Sequence, residues 1–129
     1  MIHPNMSTML GFVLSDAAID SALLQQALKN AIGDSFNMIS VDGDTSTNDM
    51  VTVLANGMAE NTLISDEYSE AYQLFASALK DICIALAKQI VADGEGATRM
   101  FEVKVQHALS VTDAKTIARA VTSSSLVKA

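Results

Sequence analysis

MFEVKVQH, residues 100 to 107, is the stretch whose reading decides the fold class. Phe101, Val103 and Val105 alternate with Glu102, Lys104 and Gln106, the period-two pattern of a strand with one covered face. A doubly wound parallel sheet buries both faces of its strands and writes them as continuous apolar runs. The alternation therefore predicts an α/β layered sandwich rather than a doubly wound sheet.

Outward from that strand, helices and strands take turns. Upstream lies the longest helical stripe, read from Asp66 to about Ala92, with Ser65 at its start and Asp93-Gly94 at its close. Tyr72, Phe75, Leu79, Ile82, Cys83, Leu86 and Ile90 form its apolar face. Downstream, Thr112 and Asp113 open a last helix through Ile117 and Val121. Nearer the N-terminus, Met9 to Leu14 is an apolar run too short for a helix and reads as a buried strand. Ser15 then offers a helix cap, with Asp16 and Asp20 in the first turn. Ile19, Ala22, Leu23, Ala27, Leu28 and Ile32 follow at helical spacing, with Gly33 as the stop. Phe36 to Val41 reads as a second strand, and Asp42 to Asp49 as a polar turn region. Asn48 or Asp49 is expected to cap a short helix through Met50, Val53 and Leu54, ending near Asn56-Gly57.

The chain of 129 residues is 50% hydrophobic, with a single proline, Pro4, which excludes disorder and supplies one core. Its net charge of −7, with scattered Lys and Arg, excludes a phosphate-tracking nucleic-acid surface and a polybasic membrane patch. No apolar run approaches the roughly 18 residues of a membrane span. The N-terminus lacks the basic flank of a signal peptide, so a cytoplasmic protein is expected. One cysteine, Cys83, allows no internal disulfide and no cysteine-based zinc site; on an apolar helix stripe it reads as a core thiol.

Few residues carry chemistry on their own. Asp42, Asp44 and Ser46 look like the start of a calcium loop, but the sixth position is Thr47 and the twelfth Val53, where an EF-hand has Gly and Glu. A turn held by side-chain to backbone bonds is the preferred reading over a metal loop. Gly94-Glu95-Gly96 precedes a strand, whereas a dinucleotide fingerprint opens a helix, so phosphate cradling is not expected. The flanking glycines do let backbone or ligand come close to the Glu95 carboxylate. His3 and His107 have no metal-ligand spacing and read as surface residues. The seven methionines read mostly as core filling, and Lys80, Lys88, Lys104 and Lys115 as solvated faces. Ser7-Thr8, just before the first strand, reads as structural on composition alone.

Four segments taken together point further. MIHPNMSTMLGFVLSDA (1 to 17), FNMISVDGDTSTNDMVTVLANG (36 to 57), IVADGEGATRMFEVKV (90 to 105) and SSLVKA (124 to 129) resemble, in order, segments of the ornithine acetyltransferase family. That family is also called bifunctional glutamate N-acetyltransferase. The resemblance spans the chain and implies an N-terminal-threonine-nucleophile fold of the layered α/β type. It implies that Thr8 is the nucleophile and that Ser7-Thr8 is cut in self-cleavage, leaving residues 1–7 as the end of an α-chain and 8–129 as the start of a β-chain. A freed α-amine, with an ordinary pKa of about 7.7–8.0, then serves as the base that the Thr8 hydroxyl needs.

By the same resemblance acetyl passes from N-acetylornithine to Thr8 and on to glutamate, with acetyl-CoA a further donor in some members and no other cofactor. Glu95 matches a substrate-binding glutamate, suited to hold an ammonium group. No defined role carries over to Asp42 to Asp49.

Ser7 departs from the usual alanine before the nucleophile. The family's oxyanion-hole threonine-glycine pair, a substrate-binding lysine and the C-terminal binding residues are not in these 129 residues. The chain therefore reads as one incomplete domain, an internal section whose partners are the rest of the same protein in a hetero-oligomer of α- and β-chains. Losing one oxyanion donor costs roughly 100–1,000-fold in turnover, so the section alone is expected to be inactive. Two other readings remain: an N-terminal-nucleophile aminopeptidase or amidase, and a non-catalytic binding domain.

Overall fold

The computed structural model describes residues 9–41, 43, 48–94 and 96–128. Strand β1 (Leu10–Ser15) leads into helix α1 (Ser21–Asp34), a 3-10 turn (Phe36–Met38), strand β2 (Met50–Ala55) and the long helix α2 (Glu70–Ala92). Helix α3 (Val111–Thr122) and the short α4 (Ser125–Lys128) follow. The strands pair in parallel, Leu10 opposite Met50 through Ser15 opposite Ala55, with α1 in the crossover that a parallel pair requires. An isolated bridge between Ile19 and Ile64 continues the pairing beyond the strand ends.

Met9 and Val13 turn inward toward the helices and are buried. Ala27 and Ala31 of α1 and Tyr72, Leu79, Cys83 and Ala87 of α2 complete the cluster around the fully buried Phe36. The small alanines let α1 and α2 approach closely. Both helices run the same way: Gln26 near the start of α1 donates to Glu67 ahead of α2 (3.0 Å), and Asp34 at the end of α1 meets Lys80 (2.6 Å). Past Lys80, α2 continues for about 18 Å, and the turn at Phe36 packs against it. Burial raises the Cys83 thiol pKa, so the thiol stays protonated and inert, as its place on the stripe suggested.

The other face of the sheet is bare. Leu10, Phe12 and Leu14 are 65%, 59% and 75% exposed, and Met50 and Leu54 flank them at 42% and 54%. A sheet with helices on one side and an apolar surface on the other is half of a layered architecture.

Several sequence expectations are corrected. Met50–Ala55 is a strand, not a helix: a six-residue apolar run rich in β-branched residues finds a partner in β1, and Asp49 spends its carboxylate elsewhere. Phe36–Val41 is not a strand, because Phe36 plugs the gap between α1 and α2 while the buried Ser35 hydroxyl donates to Ala31 O at 2.6 Å. Helix α1 starts at Ser21, not after Ser15. Ser15 ends β1, and Asp20 caps the helix, accepting from Ala22 N (2.9 Å) and Leu23 N (3.3 Å). Gly33 lies inside α1, which ends one residue later. Helix α2 begins at Glu70, capped by Ser69, four residues after Asp66. Met100–His107 makes no strand pair among the described residues, and His107 takes φ 61°. Val103 and Val105 are half-buried against exposed Glu102 and Lys104, but Phe101, read onto the covered face, is exposed.

Asp34 joins three helices. Its carboxylate meets Lys80 Nζ at 2.6 Å and Lys115 Nζ at 2.5 Å, and Lys115 also donates to Gly33 O (3.2 Å). Lys80, Lys88 and Lys115, read as solvated, are therefore all engaged, Lys88 with Glu102 at 2.9 Å. The hydrogen bond from Lys115, then that from Lys80, holds the Asp34 pKa below the ordinary carboxylate value. A depressed carboxylate pKa contributes stability that is present above the unfolded value and lost as pH falls through the folded one. Asp34→Asn should thus lower stability near neutrality and match the parent in acid below the depressed Asp34 pKa. With the Asp34 side chain 35% exposed and Lys80 45% exposed, screening limits the neutral-pH loss to about 1 kcal/mol. Urea midpoints of both proteins at the two pH values check this, and an equal deficit at both would refute it.

Candidate active site

Two corners of the molecule matter. The first lies where the strands begin. Met50 N donates to Met9 O at 2.8 Å, the first rung of the ladder. Met9 N donates to Asp49 Oδ1 at 2.8 Å, so a carboxylate replaces the next backbone rung. Both peptide groups of Met9 are thereby fixed, Met9 itself is buried at 8% exposure, and the charge-assisted bond is partly buried.

The second corner follows α2. Asp93 caps the helix, and Gly94 N turns back to Val91 O (3.3 Å). A Cβ on Gly94 would stand 3.0 Å from Val41 Cγ1 and 3.3 Å from Val91 O, so only glycine fits without displacement. Gly96 has φ +73°, the left-handed region that glycine adopts at no steric cost. Val41 is held in turn by Lys128, whose Nζ reaches Val41 O (3.0 Å) and Ser40 Oγ (3.1 Å).

Val41 packs at Gly94, and Asp49, eight residues on, holds Met9. Eight residues of chain span at most roughly 29 Å, which bounds their separation. Beside the second corner opens a groove of about 1210 Å³ between α2, the Gly96–Val103 segment, α3 and α4. Its rim carries Lys88, Arg99 and Lys128 against Asp34 and Glu102, and its floor is apolar, with Ile84, Ala87 and Val91 of α2.

Thr8, Ser7 and Glu95, the residues expected to act, lie outside the described residues, as do His3, Asp42, Asp44 and Ser46. Their covalent neighbours are described: Met9 follows Thr8, and Gly94 and Gly96 flank Glu95. His107 is exposed with φ 61°. Among the described residues no cluster of His, Cys, Asp or Glu is arranged to hold a metal ion, and no helix is long and apolar enough to cross a membrane. Asp49 was missed as a site residue. Its only local signal was an aspartate directly before a β-branched run, which reads equally well as a helix cap.

A parallel β-α-β unit with a further helix on the same face, its strand beginnings gathered into a fixed corner, places the chain among layered α/β proteins, the expected class, although the Phe101–Val105 segment that suggested it forms no strand. Residues 1–129 match the model of the ArgJ family, and the chain belongs to that family. It is 60% identical over its full length to the arginine biosynthesis bifunctional protein ArgJ of Symbiobacterium thermophilum. It is 52% identical over 99% of its length to the protein of that name from Bacillus subtilis. The chain spans 32% and 31% of those two relatives, about a third of each. The crystal structure of the Bacillus halodurans ArgJ protein superposes with a TM-score of 0.89 at 49% identity, over 94% of this chain and 56% of that one.

Proposed function

We propose that these residues are the nucleophile-bearing section of an acetyltransferase of arginine biosynthesis, moving acetyl from N-acetylornithine to glutamate through Thr8. The observation that carries this reading is the family match over residues 1–129, with Ser7-Thr8 and the Gly94-Glu95-Gly96 loop intact within it. In self-cleavage the Thr8 hydroxyl attacks the Ser7 carbonyl, the Ser7–Thr8 C–N bond breaks, and water hydrolyses the resulting ester. This frees the Thr8 α-amine and leaves two chains.

In transfer, the α-amine takes the Thr8 hydroxyl proton as the oxygen adds to the acetyl carbonyl. The C–N bond of N-acetylornithine then breaks, and the proton leaves on the ornithine amine. The neutral glutamate amine attacks the acetyl-threonine ester, gives up a proton, and restores the Thr8 hydroxyl. Acetyl-CoA serves in the same scheme as a thioester donor with its thiol leaving. The Glu95 carboxylate holds the substrate ammonium. Donors for the oxyanion come from elsewhere in the longer protein, so the isolated 129 residues are expected to neither cleave nor transfer.

The test is the intact mass and N-terminal residue of each chain purified from the natural gene, followed by trapping of acetyl-Thr8. Two chains, one starting at Thr8, with acetyl-Thr8 discharged by glutamate, are expected. Discharge by water alone would make the protein an amidase. A single uncleaved chain that never acetylates would overturn the proposal.

A further inference from the structure

We infer that Asp49 is a positioning residue for the nucleophile, acting through the Met9 amide; this rests on the Thr8 reading above. The N–H that Asp49 Oδ1 accepts at 2.8 Å belongs to the peptide joining Thr8 to Met9. A peptide is planar, so a bond that orients its N–H orients the plane on the Thr8 side as well. The carbonyl half of Met9 is fixed independently, by Met50 N at 2.8 Å. Two constraints, one a side chain and one the sheet, therefore meet at the residue immediately after the nucleophile.

A parallel ladder continued by one rung would have offered this N–H a backbone carbonyl. A carboxylate there is a substitution that the sheet does not need. It makes a stronger bond than a neutral acceptor, and the bond is partly buried. Asp49 acts through the backbone of Met9. Its effect is to hold the Thr8 hydroxyl on the line of attack, where a misplacement of about 1 Å costs roughly 100-fold.

The experiment compares Asp49→Ala, Asp49→Asn and Asp49→Glu in the natural gene product, reading kcat, KM and the rate of self-cleavage, with Thr8→Ala alongside. Asp49→Asn keeps an oxygen at the same place and is expected within about tenfold of the parent in kcat. Asp49→Glu keeps the charge but moves the acceptor by one methylene. It is expected to lose roughly 100-fold in kcat and in cleavage rate, as is Asp49→Ala, with KM changed less than about twofold. Because the Glu variant preserves charge, it carries the test even if the Ala variant does not fold. Parental kcat in Asp49→Glu, or a Glu variant faster than the Asn one, overturns the positioning role while leaving the Thr8 reading intact. Full transfer by Thr8→Ala overturns both.

Discussion

Thr8→Ala in the natural gene product is expected to give a single uncut chain and to lower acetyl transfer by roughly 10⁴–10⁶-fold. The effect is larger than for an ordinary nucleophile knock-out because one hydroxyl is proposed to serve twice. Without it the Ser7–Thr8 bond survives, so the α-amine that would act as base is never released. Thr8→Ser separates the two uses. Serine keeps the oxygen and can free the same amine, so cleavage and transfer should both persist at reduced rates. Mass spectrometry scores the cutting, and a radiolabelled-acetyl assay scores the transfer. An alanine variant that was still cut and still transferred at the parental rate would show that Thr8 does neither job.

Phe36→Ala is expected to be the most damaging core substitution, at about 3–5 kcal/mol. Phe36 is 1% exposed and sits where α1 ends, between that helix and the extension of α2. Its neighbours are held by covalent and polar ties: Ser35 to Ala31, and Asp34 to Lys80 and Lys115. A site braced in this way collapses poorly around a lost ring, which puts the cost at the upper part of the range. Denaturant unfolding should show a lower midpoint with an unchanged slope. Leu10→Ala, on the bare face of the sheet, is the contrast within the isolated section, where its effect should be small. A loss in Phe36→Ala no larger than in Leu10→Ala there would mean that the buried cluster is not the stabilising core.

Legibility in the sequence followed the range of the interactions involved. The stripe from Tyr72 to Ile90 and the closure at Asp93-Gly94 are local, and both stand in the structure apart from Ile82, which is exposed. Helix α3 likewise begins beside Thr112 and Asp113. Met50–Ala55 failed because a short apolar run carries no periodicity that separates strand from helix. Its identity depends on β1, forty residues earlier. Phe36–Val41 failed for a similar reason, since burial between two helices overrode its strand-like composition. At the site, Thr8 and Glu95 came from the combined motifs and not from any property of the residues alone. Asp49 was hidden because its role exists only in the register that sets Leu10 opposite Met50.

That register also imposes an order of events in time. A parallel pair cannot close as a hairpin, so the flank of Thr8 stays unanchored until Asp49 and β2 have been synthesised and α1 has crossed back. At 5–20 residues per second, forty residues take about 2–8 s on the ribosome, followed by passage through the exit tunnel. During that interval Met9 has no carboxylate to bind and no strand to lie against. The self-cleavage proposed above, resting on this corner, is then expected only once the parallel pair has closed.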